Sequence, residues 1–417
     1  MKKLLQKLLY EFNHFGKYPH DMRVLLITNM LYAFVLPIVE LFVGAYIMRN
    51  TSNIVYVVGF QLAVYSGIPI TFGINGFLLR RIKISWLYSF GMLLSGASMA
   101  VMMLLGELSL GGIVLAGLIM GLSYGFFWAN RDFLALNTTN DSNRNYYYGL
   151  ETFFYTIAGV IVPYSVGVFI GATDRGLFGF DVNTAYRILT CFVFVVTVMS
   201  SIVVFRGKFK NPKNDRFIFF RFDRIWSKMM GLASLKGIAQ GYIVTAPTML
   251  VMTLVGKEQS LGIVQSCGAV LSALLLYILG RTTAPKHRMA IFACGLGLFA
   301  LGGAVNASLY SAAGVILFML CLVMARPLMD LAYFPIQLRV IDYCAKKEKR
   351  NAFSYIFVHE FGLYLGRLVG CGTFIVCAMF ISETFALRYV LLMIGIIQLA
   401  SIFVACNITS SLDKAEK

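Results

Sequence analysis

Charge is scarce in this chain. Only 13% of its 417 residues are Asp, Glu, Lys or Arg, while 59% are hydrophobic. A water-soluble protein of this length has too little interior to hide that much apolar surface, so lipid must be the solvent for most of it. Acidic residues are scarcest, 19 against 36 Lys and Arg. The net charge of +17 nevertheless does not point to nucleic acid. The basic residues stand in short clusters between apolar runs, so they read as topology determinants and contacts for anionic membrane lipids. The motifs of energy-coupled and catalytic proteins are missing too. No P-loop, zinc signature or nucleophile elbow occurs, which indicates neither an ATP motor nor an enzyme, and implies no cofactor and no metal. The eight cysteines (191, 267, 294, 321, 344, 371, 377 and 406) fall singly, without metal or disulfide spacing, and are expected as small buried hydrophobes.

What the chain does have is long apolar runs around a basic centre. A span needs roughly 20 apolar residues to cross the hydrocarbon of a bilayer. Candidates lie at 24–48, 54–79, 85–105, 110–135, 148–171 and 184–205, then at 229–255, 259–280, 289–305, 310–335, 353–378 and 385–408. The third and ninth are the shortest. Between the two sets of six lies Arg206 to Lys228, with eight Lys/Arg against Asp215 and Asp223. Within 1–12, Leu4, Leu5, Leu8, Leu9 and Phe12 share one helical face. Lys7 interrupts the apolar stretch and no small-residue cleavage site follows, so this segment predicts an interfacial amphipathic helix rather than a cleaved leader. The predicted layout is therefore an amphipathic N-terminus over 1–22, a six-helix bundle over 23–205, a basic cytoplasmic linker over 206–228, a second bundle over 229–408 and a tail over 409–417.

With both termini inside, 28 of the 36 Lys and Arg fall on the cytoplasmic side and five (Arg49, Arg175, Arg187, Lys257 and Arg388) outside. So lopsided a distribution orients the chain by the positive-inside rule and supports an even number of spans, with both termini cytoplasmic. The halves echo each other weakly. Arg144-Asn145 and Arg350-Asn351 each precede a span, and small residues (Gly159 and Gly366) follow 14 or 15 positions after the Asn. Two membrane halves of similar length joined by a polar segment suggest a duplicated transporter.

Twelve spans, the basic centre and the short link after span two resemble the major facilitator superfamily. That link, GFLLRRIK from Gly76 to Lys83, is similar to the superfamily's G-x-x-x-D-R-x-G-[RK] loop. It keeps Gly76 and Arg81 and departs at Arg80, where the pattern has Asp, and at Lys83, where it has Gly. GLSYGFFW (121–128), SNRNYYYG (142–149) and HEFGLYLGR (359–367) look like a branch of bacterial permeases. The resemblance covers nearly the whole chain. It implies an all-α integral membrane protein of the bacterial inner membrane, twelve transmembrane helices in two six-helix bundles, monomeric, moving a small-molecule substrate by alternating access. Gly159, Pro163, Gly167 and Gly171 in span five resemble the Gly/Pro motif of the superfamily's exporters, though four-residue spacing of small residues is also ordinary helix packing.

Ionisable groups inside a bilayer cost roughly 2.5–3.5 kcal/mol each at a helix centre, so each needs a reason. In span one, Asn29, Leu36 and Glu40 share a face, since eleven residues return to within about 20° of the start. The resemblance puts this span at the cavity; Glu40 either sees substrate or a proton there, or touches the external interface. Lys236 and Gln240 form a stripe in span seven, its counterpart. Span eleven holds His359, Glu360 and Arg367. Glu360 and Arg367 lie on one face, so protonating Glu360 would free Arg367 to bind an anion, with His359 sharing the proton; a fixed structural ion pair is the other reading. Arg326 and Asp330, four apart, are expected to neutralise each other. Arg131, Asp132, Arg144, Glu151, Arg326, Asp330, Arg350 and the link arginines Arg80 and Arg81 are expected at a cytoplasmic gate. Tyr146, Tyr147 and Tyr148 read as an interfacial belt. The expected function is a secondary transporter of a small organic solute, coupled to protons; a flippase for an amphiphilic or lipid-linked substrate is the alternative.

Overall fold

The computed structural model describes residues 14–415 except 106–107, 141–142, 212–218, 220 and 283–286, and leaves out the side chains of 136, 144–145, 280–282 and 352–353. The amphipathic segment over 1–12 and much of the linker lie outside the described residues. Those residues contain no strand and twelve helices long and apolar enough to cross a membrane. They are α1 (His20–Thr51), α2 (Ile54–Leu78), α3 (Ile84–Leu104), α4 (Leu110–Ala135), α5 (Tyr146–Asp174) and α6 (Val182–Val204), followed by α7 (Arg224–Val255), α8 (Glu258–Leu279), α9 (Arg288–Leu309), α10 (Ala312–Glu348), α11 (Ser354–Phe380) and α12 (Glu383–Ala415). The ninth is of full length, and the last runs to Ala415, through the stretch expected as a tail. Successive spans alternate in direction, so the molecule has a linker face, where α6 ends and α7 begins, and a far face opposite.

Large apolar side chains cover the outside of these helices as well as their contacts (Phe403 is 77% exposed and Phe380 80%). That surface is tolerable only against lipid. Four cysteines, Cys191, Cys267, Cys294 and Cys406, lie exposed on it rather than in the core, and only Cys344, Cys371 and Cys377 are buried.

Each half is a six-helix bundle with matching contacts: α1 on α6 and α7 on α12, α3 on α4 and α9 on α10, α3 on α6 and α9 on α12. The halves meet along α5–α8 and α2–α11. Glycine permits the closest of these approaches. A Cβ on Gly366 of α11 would stand 1.9 Å from the Ser234 carbonyl oxygen of α7, and one on Gly262 of α8 would stand 2.2 Å from the Pro163 oxygen of α5. The Gly159–Gly171 stripe thus includes residues packed tightly across the boundary between halves, Gly167 against Glu258 and Gly171 against Gln259.

Both α1 and α7 are interrupted, and in the same way. In α1 a turn at Phe34–Val35 precedes Pro37 and a π-helical stretch, Ile38–Phe42; in α7 a turn at Val244–Thr245 precedes Pro247 and a second one, Val251–Val255. Proline cannot donate to the carbonyl four residues earlier. Pro247 therefore leaves the Ile243 oxygen without its helical donor, and Arg326 supplies one, Nη2 to oxygen at 2.9 Å.

On the linker face, the Asn211 amide donates to the Leu79 and Ile82 carbonyls at 2.7 Å each, and its oxygen accepts from Ile84 N–H at 2.9 Å. The linker is thereby fastened to the α2–α3 turn, where Arg80 and Arg81 stand exposed. Asp223 caps α7 through Ile225 N–H and takes Lys347 at 2.6 Å. Burial pushes its carboxyl up, but the Lys347 and cap hydrogen bonds outweigh this and hold it below the usual carboxylate range.

Candidate functional site

A cavity of roughly 460 Å³ lies between the halves, walled by α1, α2, α4, α5, α7, α8 and α10. Its walls are mostly apolar and aromatic, with Tyr65, Tyr124 and Trp128 among them. Two charged side chains face it, Glu40 from α1 and Arg326 from α10. Both are exposed although their helix neighbours Val39 and Ala325 are buried. The Glu40 carboxylate accepts no hydrogen bond and forms no ion pair among the described residues. Arg326 is close enough to act on it electrostatically, yet beyond ion-pair contact, and among the described residues donates only to the Ile243 carbonyl.

Arg326 does not pair with Asp330, contrary to the expectation from their spacing. Asp330 takes Lys236 instead, at 2.8 Å, and Lys236 lies against the rings of Tyr333 and Phe334 (3.9 and 4.1 Å to the centroids). The reason is the break in α7: the orphaned carbonyl attracts the guanidinium away from its neighbour one turn on.

Beside Arg326 a second cavity of roughly 310 Å³ is lined mostly by the second half, with Lys236, Gln240, Asp330, Tyr333 and Arg367, and by Tyr65 from the first. Arg367 is 8% exposed. Its Nε and Nη2 donate to Gln240 Oε1 at 3.0 and 2.9 Å, its Nη1 reaches Glu360 at 3.5 Å, and its plane lies over the Tyr65 ring at 4.7 Å. Tyr65 belongs to α2, and its hydroxyl donates to the Gln240 carbonyl at 2.9 Å. Arg367 thus touches both halves. His359 points elsewhere, buried, its Nε2 at 2.6 Å from the Tyr333 hydroxyl.

Asn29 is not at the cavity. It donates to Tyr147 Oη (3.0 Å) and Glu151 Oε1 (2.6 Å) and accepts from the Tyr88 hydroxyl, all inside the first half. The 100° arithmetic that aligned it with Glu40 assumes an unbroken α-helix, and α1 changes pitch between them. Glu151 also takes Arg131, which reaches Asp132 at 2.6 Å and lies over Trp128 and Tyr148. Tyr147 is consequently core, not belt. Arg350 pairs with Glu348 at 2.9 Å and donates to the Arg221 carbonyl in the linker. Of the expected gate, then, Arg131, Asp132 and Glu151 pair within the first half, Asp330 within the second, and Arg350 with the second half and the linker, while Arg326 faces the central cavity. The side chain of Arg144 lies outside the description.

Among the described residues, the ion pairs that cross between the halves are on the far face. Arg49 of α1 donates to Glu258 of α8 at 2.5 and 2.7 Å, and Lys257 reaches Asp174 of α5 at 2.7 Å. Arg49 also takes Asp174 at 3.0 Å, Tyr186 donates to Glu258 at 3.0 Å, and Arg175 donates to Gln259 at 2.6 Å. The Glu258 side chain is 1% exposed, that of Lys257 65%. In the sequence Arg49 and Lys257 are visible only as minority charges outside the bias, and nothing in it marks them as partners.

No protein-family model matches the chain. It is 23% identical over 381 residues to YqgE, an uncharacterised protein of Bacillus subtilis (strain 168), covering 89% of this chain and 86% of that one. It is 24% identical over 152 residues to an uncharacterised protein from the sodM 3′ region of Geobacillus stearothermophilus, covering 36% and 71%. Solved structures with a similar course include a bacterial homologue of the iron transporter ferroportin in an inward-facing state, at TM-score 0.66 and 14% identity over 94% of this chain and 98% of that one. A POT-family transporter in complex with 5-aminolevulinic acid superposes at 0.68 and 11% over 94% and 97%, and the nucleoside transporter NupG at 0.65 and 12% over 94% and 99%. The chain therefore has the all-helical, twelve-span fold of these membrane transporters.

Proposed function

We propose that this protein is a secondary transporter of a small organic solute, of the major facilitator type, working by alternating access and driven by protons. The observation that carries the reading is a cavity between two pseudo-equivalent bundles whose inter-half ion pairs, among the described residues, stand at one mouth. With the linker face cytoplasmic, as the positive-inside rule orients it, the described state is sealed outside, and the inner gate charges seen in pairs are held within their own halves or the linker. Rocking of the bundles would exchange which mouth is bridged. Such a chain would sit in a bacterial inner membrane as a monomer.

Coupling is assigned to Glu360 and Arg367. While ionised, Glu360 holds one edge of Arg367 and Gln240 the other, and the guanidinium lies under Tyr65 of the opposite half. Protonation removes the charge attraction, leaves Arg367 to Gln240 and Tyr65 alone, and so alters a contact between halves. Lys236 and Asp330, beside it, keep the remaining charge balanced. Glu360→Gln mimics the protonated state permanently. In proteoliposomes loaded with a pH dye and challenged with amino acids, dipeptides, nucleosides and sugars, the compound that draws protons inward identifies the cargo. The variant is expected to lose its concentrative uptake by at least about tenfold while keeping counterflow exchange. A variant that still concentrates cargo under a pH gradient would refute the assignment. Lipid-analogue translocation in the same liposomes, without solute flux, would favour the flippase reading.

A further inference from the structure

We infer that the central cavity is built for a small zwitterion, whose ammonium group meets Glu40 and whose carboxylate meets Arg326. The inference rests on the transporter reading for its physiological meaning, but the site itself stands on geometry. The other charged side chains considered for the site or the gate whose surroundings are described away from the exposed α2–α3 turn (Arg131, Asp132, Glu151, Lys236, Asp330, Glu360, Arg367 and Arg350) already hold an opposite charge. Glu40 and Arg326 do not. They are of opposite sign, come from opposite halves and open into the same space.

The chemistry of the pair excludes simpler ligands. A cation alone would satisfy Glu40 and meet repulsion from Arg326, and among the described residues no group of three ligating side chains could hold a metal ion. A phosphate or other anion would satisfy Arg326 and be repelled by Glu40. A sugar would leave both charges desolvated and unpaired. A zwitterion neutralises both at once, and the guanidinium suits a carboxylate because its planar N–H groups can grip both oxygens. One Arg326 nitrogen is committed to the Ile243 carbonyl, which fixes the direction in which the others point. Tyr65, Tyr124 and Trp128 supply an aromatic wall for an apolar body between the charges. A ligand bound in this way joins α1 to α10, so it pulls the halves together by its own charges.

The test is equilibrium binding to the full-length protein in detergent, with L-phenylalanine and the dipeptide Ala-Phe as zwitterions of two charge separations. Their C-terminal amides lack the carboxylate and their N-acetyl forms lack the ammonium. At least one zwitterion should bind, and deleting either of its charges should weaken binding at least about tenfold. Glu40→Gln should erase the preference for the zwitterion over the N-acetyl form, and Arg326→Gln the preference over the amide. Glu40→Asp and Arg326→Lys, which keep charge, should retain it in part and serve if a Gln variant fails to fold. The inference is overturned if neither zwitterion binds at millimolar concentration, if the charge-deleted forms bind equally, or if a folded Gln variant keeps wild-type discrimination. Zwitterion binding without flux in liposomes would sink the transporter reading and leave this one standing; flux of an uncharged solute with no zwitterion binding would do the reverse.

Discussion

Replacing Glu258 by Ala is expected to open the far face. This carboxylate is almost wholly buried and accepts two hydrogen bonds from Arg49 and a third from Tyr186. Removing one partner of a buried pair costs about 3–5 kcal/mol where the remaining charge is left without a partner; Arg49 keeps Asp174 at 3.0 Å, so the cost here falls to about 2 kcal/mol. That penalty falls on the state in which the pair is formed. In a state with the far mouth open, Arg49 can reach water and loses less, so the population shifts toward that state by roughly tenfold or more. The measurement is labelling by an impermeant maleimide added from the far side, at a cysteine placed on the cavity residue Gln265 in a background lacking the native cysteines. Labelling should rise by more than about tenfold, and Lys257→Ala, which removes a largely exposed pair, should raise it far less. Equal effects of the two substitutions, or none from Glu258→Ala, would contradict the seal described here.

The second large effect is on folding. Gly366→Val would drive a branched side chain into the α7 backbone at Ser234, where even a Cβ has only 1.9 Å. Overpacking against flexible side chains costs typically 1–3 kcal/mol; against a carbonyl oxygen at the closest glycine approach of the second half, the expected outcome is loss of folded monomer in detergent gel filtration. Gly262→Ala makes a comparable collision with the Pro163 oxygen, but across the boundary between halves. That variant should stay folded and gain far-side labelling, because the halves can move apart where two helices of one bundle cannot. A well-folded Gly366→Val protein would show that α7 and α11 are free to separate.

The twelve spans and their division into two bundles are legible in the sequence because bilayer thickness imposes one length on every helix and topology sorts the basic residues. Partnership of charges is far less legible. Arg326 and Asp330 obey the helical spacing of an ion pair, yet a proline on another helix frees a carbonyl that captures the arginine. Asn29 and Glu40 obey the spacing of a common face, yet a turn and a π-helical stretch between them rotate one into the bundle and leave the other in the cavity. Pro37 and Pro247 are the visible signs of these breaks, but a proline alone does not say which way a helix turns. The far-face network is hidden for a different reason. Its members are more than 70 residues apart in every inter-half pair, and only the approach of α5 to α8 brings them together.

The far-face contacts also differ in how they meet the medium. Lys257 on Asp174 stands in water, where dissolved ions screen attraction over about 8 Å at physiological strength, while Arg49 on Glu258 is shielded from them. Salt added on the far side should therefore slacken the first bolt and spare the second, speeding the rate at which the far mouth unlatches without changing the shape it returns to; stopped-flow labelling at low and high salt would reveal the difference.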